Sequence, residues 1–217
     1  MKILITGSSS GIGLASAKKF LEMGHTVYGI DLKEASIVNK NYIHFVCDIS
    51  KDVLPDIDGI DVIFNNAGLQ GSYNDIDNNL KGTINVTEKY ISPSLKSVLF
   101  NASASAISGS EYPLYVASKA GIVGYMKHIA VRLAPKKVTV NAISPGGVLT
   151  KSNAPVINDK KLWDEIMNVT PMKKWAEESE IAEWVYFLTI TNKSMSGQNI
   201  LIDNGEYDLN QNFVWPD

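Results

Sequence analysis

The residue pair best suited to acid–base chemistry is Tyr115 and Lys119, which stand four positions apart. On a helix this spacing places both side chains on the same side, about one turn from each other. A phenol keeps its proton at neutral pH because its pKa is about 10, and a neighbouring ammonium group favours the phenolate. The pair could therefore exchange a proton with the oxygen of an alcohol or a carbonyl compound. Because the spacing is common by chance, a surface tyrosine and lysine on an amphipathic helix is the alternative interpretation.

A glycine-rich loop joins the first predicted strand, residues 2–6, to a predicted helix at residues 14–23. Gly7 permits a tight turn, Gly11 lets the backbone approach a pyrophosphate, and Gly13 lets the helix pack close to the strand. Backbone N–H groups at the helix start favour an anion. The spacing is G-x-x-x-G-x-G, and a glycine turn without a ligand is the alternative. The loop residues that we assign to a dinucleotide cofactor are Gly7, Ser9, Ser10, Gly11, Ile12 and Gly13.

Asp31 ends the second predicted strand, residues 26–30. A carboxylate at this position can accept hydrogen bonds from the ribose hydroxyls of an adenosine, and it would repel a 2′-phosphate. This favours NAD over NADP as the cofactor. Lys33 could soften the preference, so NADP is not excluded. Asp31 could instead cap a short helix, which we predict over residues 33–39.

Apolar segments alternate with helical patterns along the rest of the chain. The alternation predicts a single α/β domain over residues 1–217, with a Rossmann-like, doubly wound parallel sheet of about seven strands and helices on both faces. Residues 151–175 have no strand character and include Trp163 and Trp175; we predict a mobile lid that closes over a substrate. The remaining strands are predicted at residues 42–47, 60–64, 97–101, 138–143 and 199–202, and helices at residues 77–91, 120–132 and 180–189.

Composition narrows the function classes. A net charge of −3 without a basic run argues against nucleic acid as a main partner. A single cysteine, Cys47, excludes an intrachain disulfide framework, and the three histidines show no metal-ligand spacing, so no metal site is expected. The sequence has no signal-peptide pattern and no apolar run long enough to span a membrane. We therefore expect a cytoplasmic protein without a membrane partner.

Taken together, these motifs resemble those of the short-chain dehydrogenase/reductase family over nearly the whole chain. This chain is shorter than is usual for that family, so the resemblance implies trimmed surface segments between residues 31 and 42, 49 and 60, and 68 and 79. The motifs occur in the family's order: Thr6-Gly7-x-x-x-Gly11-Ile12-Gly13, Asn65-Asn66-Ala67-Gly68, Asn79, a serine after the fifth strand, Tyr115-x-x-x-Lys119, and Pro145-Gly146 followed by Thr150.

The resemblance implies a catalytic set of serine, tyrosine, lysine and asparagine. Tyr115 would exchange a proton with the substrate oxygen, and Lys119 would lower the pKa of Tyr115 and hold the nicotinamide ribose. Asn79 would support a water that feeds protons to Lys119. The serine would donate a hydrogen bond to the substrate oxygen. We assign this serine to Ser103, which lies 12 residues before Tyr115, with Ser105 as the alternative.

The resemblance also implies where the cofactor and other subunits bind. Asp48 and Ile49 would flank the adenine. Family members usually associate through two helices, here near residues 79–91 and 120–133, so a homodimer or homotetramer is expected. Gly121, Gly124 and Ala130 would let those helices approach closely. The residues that the resemblance adds to the cofactor site are Asn66, Ala67, Gly68, Tyr115, Lys119, Pro145, Gly146, Val148 and Thr150.

The activity implied is NAD(P)-dependent interconversion of a small secondary alcohol and a ketone. One alternative is a 3-oxoacyl-carrier-protein reductase that uses NADP; a hydroxysteroid or another hydrophobic alcohol is equally allowed as substrate. A protein of another class, a cofactor-binding regulator or scaffold without catalytic activity, would have little reason to retain Tyr115, Lys119 and Asn79. The lysines that could receive an acidic carrier, or could simply form a solvated surface, are Lys151, Lys160, Lys161, Lys173 and Lys174.

Overall fold

A computed structural model describes residues 1–207 and residue 209, so the last residues of the predicted domain lie outside the described part. Seven parallel strands form one sheet in the order β3-β2-β1-β4-β5-β6-β7. This confirms the predicted doubly wound parallel sheet. The strands are β1 Lys2–Thr6, β2 Thr26–Asp31, β3 Tyr42–Val46, β4 Val62–Asn65, β5 Ser97–Asn101, β6 Thr139–Pro145 and β7 Asn199–Ile202.

Helices cover both faces of the sheet. Alternate residues of β1 point to opposite faces, so Ile3 and Ile5 belong to one apolar cluster and Leu4 to the other. One cluster includes residues of the helices at 11–22 and 178–186, and the other includes residues of the helices at 82–90 and 113–133. The α-helices are α1 Gly11–Glu22, α2 Gly82–Tyr90, α3 Ser105–Ser108, α4 Pro113–Leu133, α5 Ala154–Ile157, α6 Lys160–Val169 and α7 Glu178–Tyr186.

The chain reverses its direction of winding between β1 and β4. From β1 it proceeds outward to β2 and β3, and it then returns to place β4 on the other side of β1. The carboxyl ends of β1 and β4 therefore flank a crevice at the topological switch point, where ligands bind in open α/β sheets.

The helix predicted over residues 33–39 does not form, and that prediction was wrong. Hydrogen bonds hold the segment as a loop. The Lys33 N–H donates to Asp31 Oδ1 at 2.9 Å, a local side-chain bond of the kind that competes with helix formation. The Ser36 hydroxyl donates to the carbonyl of Ser9, which is distant in sequence, at 2.7 Å. The loop therefore lies against the glycine-rich loop.

Two other segments differ from the predicted helices. A π-helical turn, Ile76–Lys81, precedes α2, and a second one, Phe187–Thr191, follows α7. The segment between β3 and β4 has no helix; Leu54 and Ile60 are buried there in the core that α2 and α4 share. This agrees with the expected trimming of the surface. Within the described part, no helix is both long and apolar enough to cross a membrane.

Candidate active site

Helix α4 carries the Tyr115 and Lys119 pair near its N-terminus. It begins at Pro113, two residues before Tyr115, because the fixed φ angle of proline suits the first helical position. The Lys119 Nζ lies 5.6 Å from the centroid of the Tyr115 ring and donates a hydrogen bond to the Asn101 carbonyl at 2.8 Å. Lys119 is buried, with 4% of its surface exposed. Tyr115 and Lys119 therefore lie on the same side of α4, as their spacing predicts.

Burial controls the protonation of both groups. It raises the pKa of Tyr115 to about 12, and a hydrogen bond with Ser103 opposes this rise. Burial lowers the pKa of Lys119 to about 8, and the nearby charges of Asp75 and Glu111 oppose this fall. The expected lowering of the Tyr115 pKa by Lys119 is thus not met, because desolvation of the phenolate dominates.

The structure separates the two candidate serines. Ser103 lines the main cavity together with Tyr115. Ser105 is 1% exposed, and its hydroxyl donates to Ser103 Oγ at 2.8 Å. Ser105 therefore supports the position of Ser103, whose own hydroxyl hydrogen can point towards a substrate.

Asn79 is buried in the first π-helical turn. Its Oδ1 accepts the Leu69 N–H at 2.7 Å, and its Nδ2 donates to the Leu69 carbonyl at 2.8 Å and to Ser118 Oγ at 3.0 Å. The side chain thus fixes the wall segment at Leu69. Its expected support of a water molecule stays a prediction.

The glycine-rich loop has the geometry that close approach of a dinucleotide requires. Gly7 has a φ of 69°, a conformation that favours glycine. A Cβ placed on Gly13 would lie 2.0 Å from the Gly7 carbonyl oxygen, so the helix can pack here only without a side chain. Asn66 Nδ2 donates to the carbonyls of Thr6 and Gly7 at 3.0 and 3.2 Å, which ties the loop to the end of β4.

The residues present fit a dinucleotide at this loop. Ser10 is the N-cap of α1 and makes no side-chain capping hydrogen bond, so the helix start can receive a pyrophosphate. Asp31 accepts N–H groups of Ser9 and Lys33, each at 2.9 Å, which fixes its carboxylate beside the loop at the end of β2. Each carboxylate oxygen can accept a further hydrogen bond.

The residues predicted for the adenine have mixed surroundings. Asp48 Oδ1 accepts the N–H and hydroxyl of Ser50 at 2.9 and 2.6 Å. Burial opposes its ionisation, but these bonds and the Lys51 ammonium hold the pKa of the carboxyl below its ordinary value. Ile49 is buried against Gly82, where an added Cβ would lie 2.8 Å from the isoleucine side chain. The adenine role of Asp48 and Ile49 stays a prediction.

A cavity of about 840 Å³ brings many of the predicted residues together. Those predicted for the site that do not line it are Gly7, Ser9, Gly13, Asp31, Asp48, Ile49, Ala67 and Asn79, of which several support its walls as described above. The predicted residues that line it are Ser10, Gly11, Ile12, Asn66, Gly68, Ser103, Tyr115, Lys119, Pro145, Gly146, Val148 and Thr150.

Sequence reasoning missed the polar residues at the substrate end. Glu111 and Glu206 line the cavity, and Glu111 Oε2 accepts the Gln70 amide N–H at 2.6 Å. Surrounding protein atoms raise the pKa of both carboxyls, and the charge of Glu111 contributes to the rise at Glu206. The sequence feature that could have indicated Glu111 is its position four residues before Tyr115, in the turn that leads into α4. Glu111 also has a φ of 85°, which is uncommon for a residue with a side chain.

The segment at residues 151–175 forms an apolar wall of the same cavity. Val156, Leu162 and Ile166 line it. Trp175 is buried and contacts Trp163 edge to face, with ring centroids 5.1 Å apart. A Cβ on Gly147 would lie 2.0 Å from the Trp175 ring, so this glycine lets the tryptophan pack on the chain after β6. Trp175 both anchors the segment and lines the cavity.

Comparison with known proteins gives extensive matches. Residues 7–206 match the sequence model of a protein family described as Enoyl-(Acyl carrier protein) reductase. A 3-oxoacyl-(acyl-carrier-protein) reductase of Staphylococcus epidermidis is 29% identical, over 94% of this chain and 98% of the relative. An uncharacterized oxidoreductase of Schizosaccharomyces pombe is also 29% identical, over 98% and 97% of the two chains.

Solved structures agree with these matches. A short chain dehydrogenase family protein from Francisella tularensis is 27% identical, with a TM-score of 0.82 over 94% of this chain and 98% of that one. A putative 2-deoxy-d-gluconate 3-dehydrogenase from Agrobacterium tumefaciens, with bound NADP, is 26% identical, with a TM-score of 0.85 over 94% and 95% of the chains.

Proposed function

Because the chain belongs to the short-chain dehydrogenase/reductase family, we propose that it is an NAD(P)-dependent oxidoreductase that interconverts a small secondary alcohol and a ketone. The observation that carries this proposal is the shared cavity. Ser103, Tyr115 and Lys119 line it at one end of the glycine-rich loop, and Ser10 and Gly11 of that loop line the same space.

The side chains divide the chemistry between them. The bound nicotinamide supplies or accepts the hydride. In ketone reduction, Tyr115 gives its phenolic proton to the substrate oxygen, and the Ser103 hydroxyl donates a hydrogen bond to that oxygen as negative charge develops. The Lys119 ammonium stabilises the phenolate that remains. Alcohol oxidation is the reverse, with the hydroxyl proton passing to Tyr115.

We propose NAD as the preferred cofactor. Asp31 is held by two backbone N–H groups at the end of β2, where its charge would repel a 2′-phosphate. NADP is the other possibility, since NADP is bound in the related Agrobacterium tumefaciens protein.

Reduction of a 3-oxoacyl-carrier-protein is a second candidate, because curated relatives carry that name. The charges at the cavity argue against it. Glu111 and Glu206 line the space that an acidic carrier's acyl chain would enter. Lys160, Lys161 and Lys174 form ion pairs with Asp164, Glu165 and Glu180, and Lys173 donates to two carbonyls of α6. These lysines therefore resemble an ordinary solvated surface.

Two further proposals concern motion and assembly. Residues 151–175 would close over the substrate, and protection of this segment from proteolysis should increase when cofactor binds.

A homodimer or homotetramer would be detected by light scattering. Of the three small residues expected at a helix contact between subunits, Gly121 packs on Leu80 and Ala130 is buried, whereas Gly124 is exposed. A cytoplasmic location stays a prediction.

A panel of secondary alcohols and ketones, assayed with both nicotinamides, tests the function. We expect turnover by the wild type and a loss of about 10²–10⁴-fold in Tyr115→Phe, which keeps the ring and removes the exchangeable proton. Tyr73→Phe, an exposed tyrosine outside the cavity, is the matched control. Cofactor binding without turnover of any panel member would favour the scaffold interpretation.

A further inference from the structure

Two buried side chains of opposite charge belong to this region: Lys119 lines the cavity, and Asp75 lies outside its lining. Asp75 is completely buried, and Lys119 is 4% exposed. Within the described residues, neither side chain has an ion-pair partner at contact distance. Because a buried charge is costly unless an opposite charge or hydrogen bonds compensate it, each of these two groups requires an explanation.

Local hydrogen bonds fix the Asp75 carboxylate. It accepts the Gly71 N–H at 3.0 Å, the Ser72 N–H at 3.1 Å and the Ser72 hydroxyl at 2.7 Å. Three donors and no acceptor surround it, which is the environment of an ionised carboxylate. Asp75 therefore carries its negative charge into the interior.

The residues just before those that Asp75 binds pass close to Lys119. A Cβ on Gly68 would lie 3.3 Å from Lys119 Nζ and 3.2 Å from Asn79 Oδ1. Asn79 binds both backbone groups of Leu69, and Asp75 binds the N–H groups of Gly71 and Ser72. The two side chains, four residues apart, thus fix the backbone of the cavity wall near the ammonium group.

The pKa of Lys119 responds to the same acidic residues. Burial lowers the pKa of Lys119, and Asp75 is the main charge that opposes the fall, followed by Glu111. Asp75 and Glu111 also contribute to the raised pKa of Tyr115. The titratable groups facing Lys119 are therefore Tyr115 on α4, Glu111 in the turn before α4 and Asp75 before the π-helical turn.

We propose that Asp75 is a positioning residue of this site: its buried carboxylate holds the backbone at Gly71 and Ser72, beside the wall that covers Lys119, and supplies a buried negative charge to the surroundings of the Lys119 ammonium. The chain between β4 and α2 passes close to Lys119 at Gly68, seven residues before Asp75. This inference deepens the proposed function, but its first test does not depend on a known substrate.

The direct test is the titration of Lys119 followed by ¹³C–¹⁵N NMR of the lysine side chains in the ligand-free protein. Lys119→Met assigns the signal. In Asp75→Asn we expect the midpoint to fall from about 8 by about one pH unit. Asp77→Asn, which alters an exposed acid paired with Lys81, should leave the midpoint in place. An unchanged or raised midpoint in Asp75→Asn would overturn the proposal.

A second variant separates charge from wall geometry. Ser72→Ala removes one hydrogen bond to the carboxylate and keeps its charge, so the Lys119 midpoint should not fall. A fall as large as that in Asp75→Asn would show that wall position alone sets the titration, contrary to the proposal.

Stability provides a test even where Asp75→Asn does not fold. Lys119→Met leaves the buried Asp75 carboxylate without a compensating charge, a cost that disappears when the carboxylate takes up a proton. The stability deficit of Lys119→Met, measured by urea unfolding against the wild type, should then shrink as pH falls from about 7 to about 5. A deficit independent of pH would contradict the coupling.

The kinetic test uses any ketone that the wild type reduces. Removing the Asp75 charge should displace the pH profile of kcat/KM towards acid, since that charge favours the protonated forms of both Lys119 and Tyr115. A lower rate with an unmoved profile would indicate a structural role only. Absence of turnover in the wild type would count against the proposed function, while the NMR result would still decide the role of Asp75.

Discussion

Tyr115 is half-buried, and desolvation raises its pKa to about 12, so the phenol is protonated at neutral pH. Reduction needs this protonated form and also a charged Lys119, whose pKa is about 8. We therefore expect kcat/KM for ketone reduction to be level below about pH 8 and to decline above it as the ammonium loses its charge. Stopped-flow or steady-state pH profiles measure this directly. A rate that rises through this range would contradict the assignment of Tyr115 as the acid.

Ser103 and Ser105 offer a matched pair of substitutions two residues apart. Ser103→Ala should lower kcat by about 10²-fold because it removes a donor to the substrate oxygen. Ser105→Ala should cause a smaller loss, since Ser105 reaches Ser103 and does not line the cavity. Equal losses in steady-state assays, or a larger loss in Ser105→Ala, would reverse the assignment.

The Glu111 carboxylate should favour substrates that carry a positive charge, and ketones of different charge test this. Dimethylaminoacetone, isobutyl methyl ketone and acetoacetate have nearly the same shape and carry a positive charge, no charge and a negative charge. In Glu111→Gln, the ratio of kcat/KM for the cationic ketone to that for the neutral ketone should fall by about fivefold. Glu178→Gln, which removes the same charge outside the cavity, is the control. A preference for acetoacetate in the wild type would instead favour acidic substrates.

At the residue scale, motif spacing could predict the catalytic candidates but not their neighbours. Tyr115 and Lys119 are recognisable because helix geometry fixes their relation. Glu111 and Asp75 belong to irregular segments, where the backbone path, and hence the burial of a side chain, depends on contacts that are distant in sequence. The pKa of Tyr115 was predicted with the wrong direction for the same reason: the depth of burial is not visible in the local sequence.

Gly13 in α1 and Gly124 in α4 differ in the space that surrounds them, so substitution by alanine should have opposite effects on stability. Gly13→Ala would force a Cβ against the Gly7 carbonyl, so we expect a loss of about 1–3 kcal/mol or more in the free energy of unfolding and weaker cofactor binding. Gly124 in α4 has open space around it, and Gly124→Ala should stabilise the protein by about 0.5–1 kcal/mol. Urea unfolding of both variants checks the contrast. Equal effects would contradict the packing of α1 on β1.

At the element scale, hydrophobic pattern predicted all seven strands but not every helix. Parallel strands buried on both faces are continuous apolar runs and are easily recognised. The helix at residues 33–39 was wrong because the Asp31 carboxylate binds the Lys33 N–H locally and the Ser36 hydroxyl binds the distant Ser9 carbonyl. The helix that carries Tyr115 and Lys119 was predicted, and it begins two residues earlier, at Pro113, where proline is favoured.

At the scale of the whole molecule, the sheet brings together groups that are far apart in the sequence. The ends of β1, β4, β5 and β6 contribute the loop at Gly7, Asn66, Asn101 and Pro145 to one region. The parallel topology predicts this convergence, since all strands present their carboxyl ends at one edge. Assembly into a homodimer or homotetramer stays a prediction, and two of the three small residues of α4 expected at the subunit contact face inward in the protomer.

The most direct test of the account is a titration of the protein with NADH and with NADPH, followed by protein fluorescence. We expect NADH to bind at least about tenfold more tightly, because the fixed Asp31 carboxylate repels a 2′-phosphate. Asp31→Ala should remove that preference, and Asp58→Ala, an exposed acid in the loop before β4, should preserve it. Tighter binding of NADPH by the wild type would contradict the role of Asp31. Binding of neither nucleotide would contradict the cofactor site and, with it, the proposed oxidoreductase.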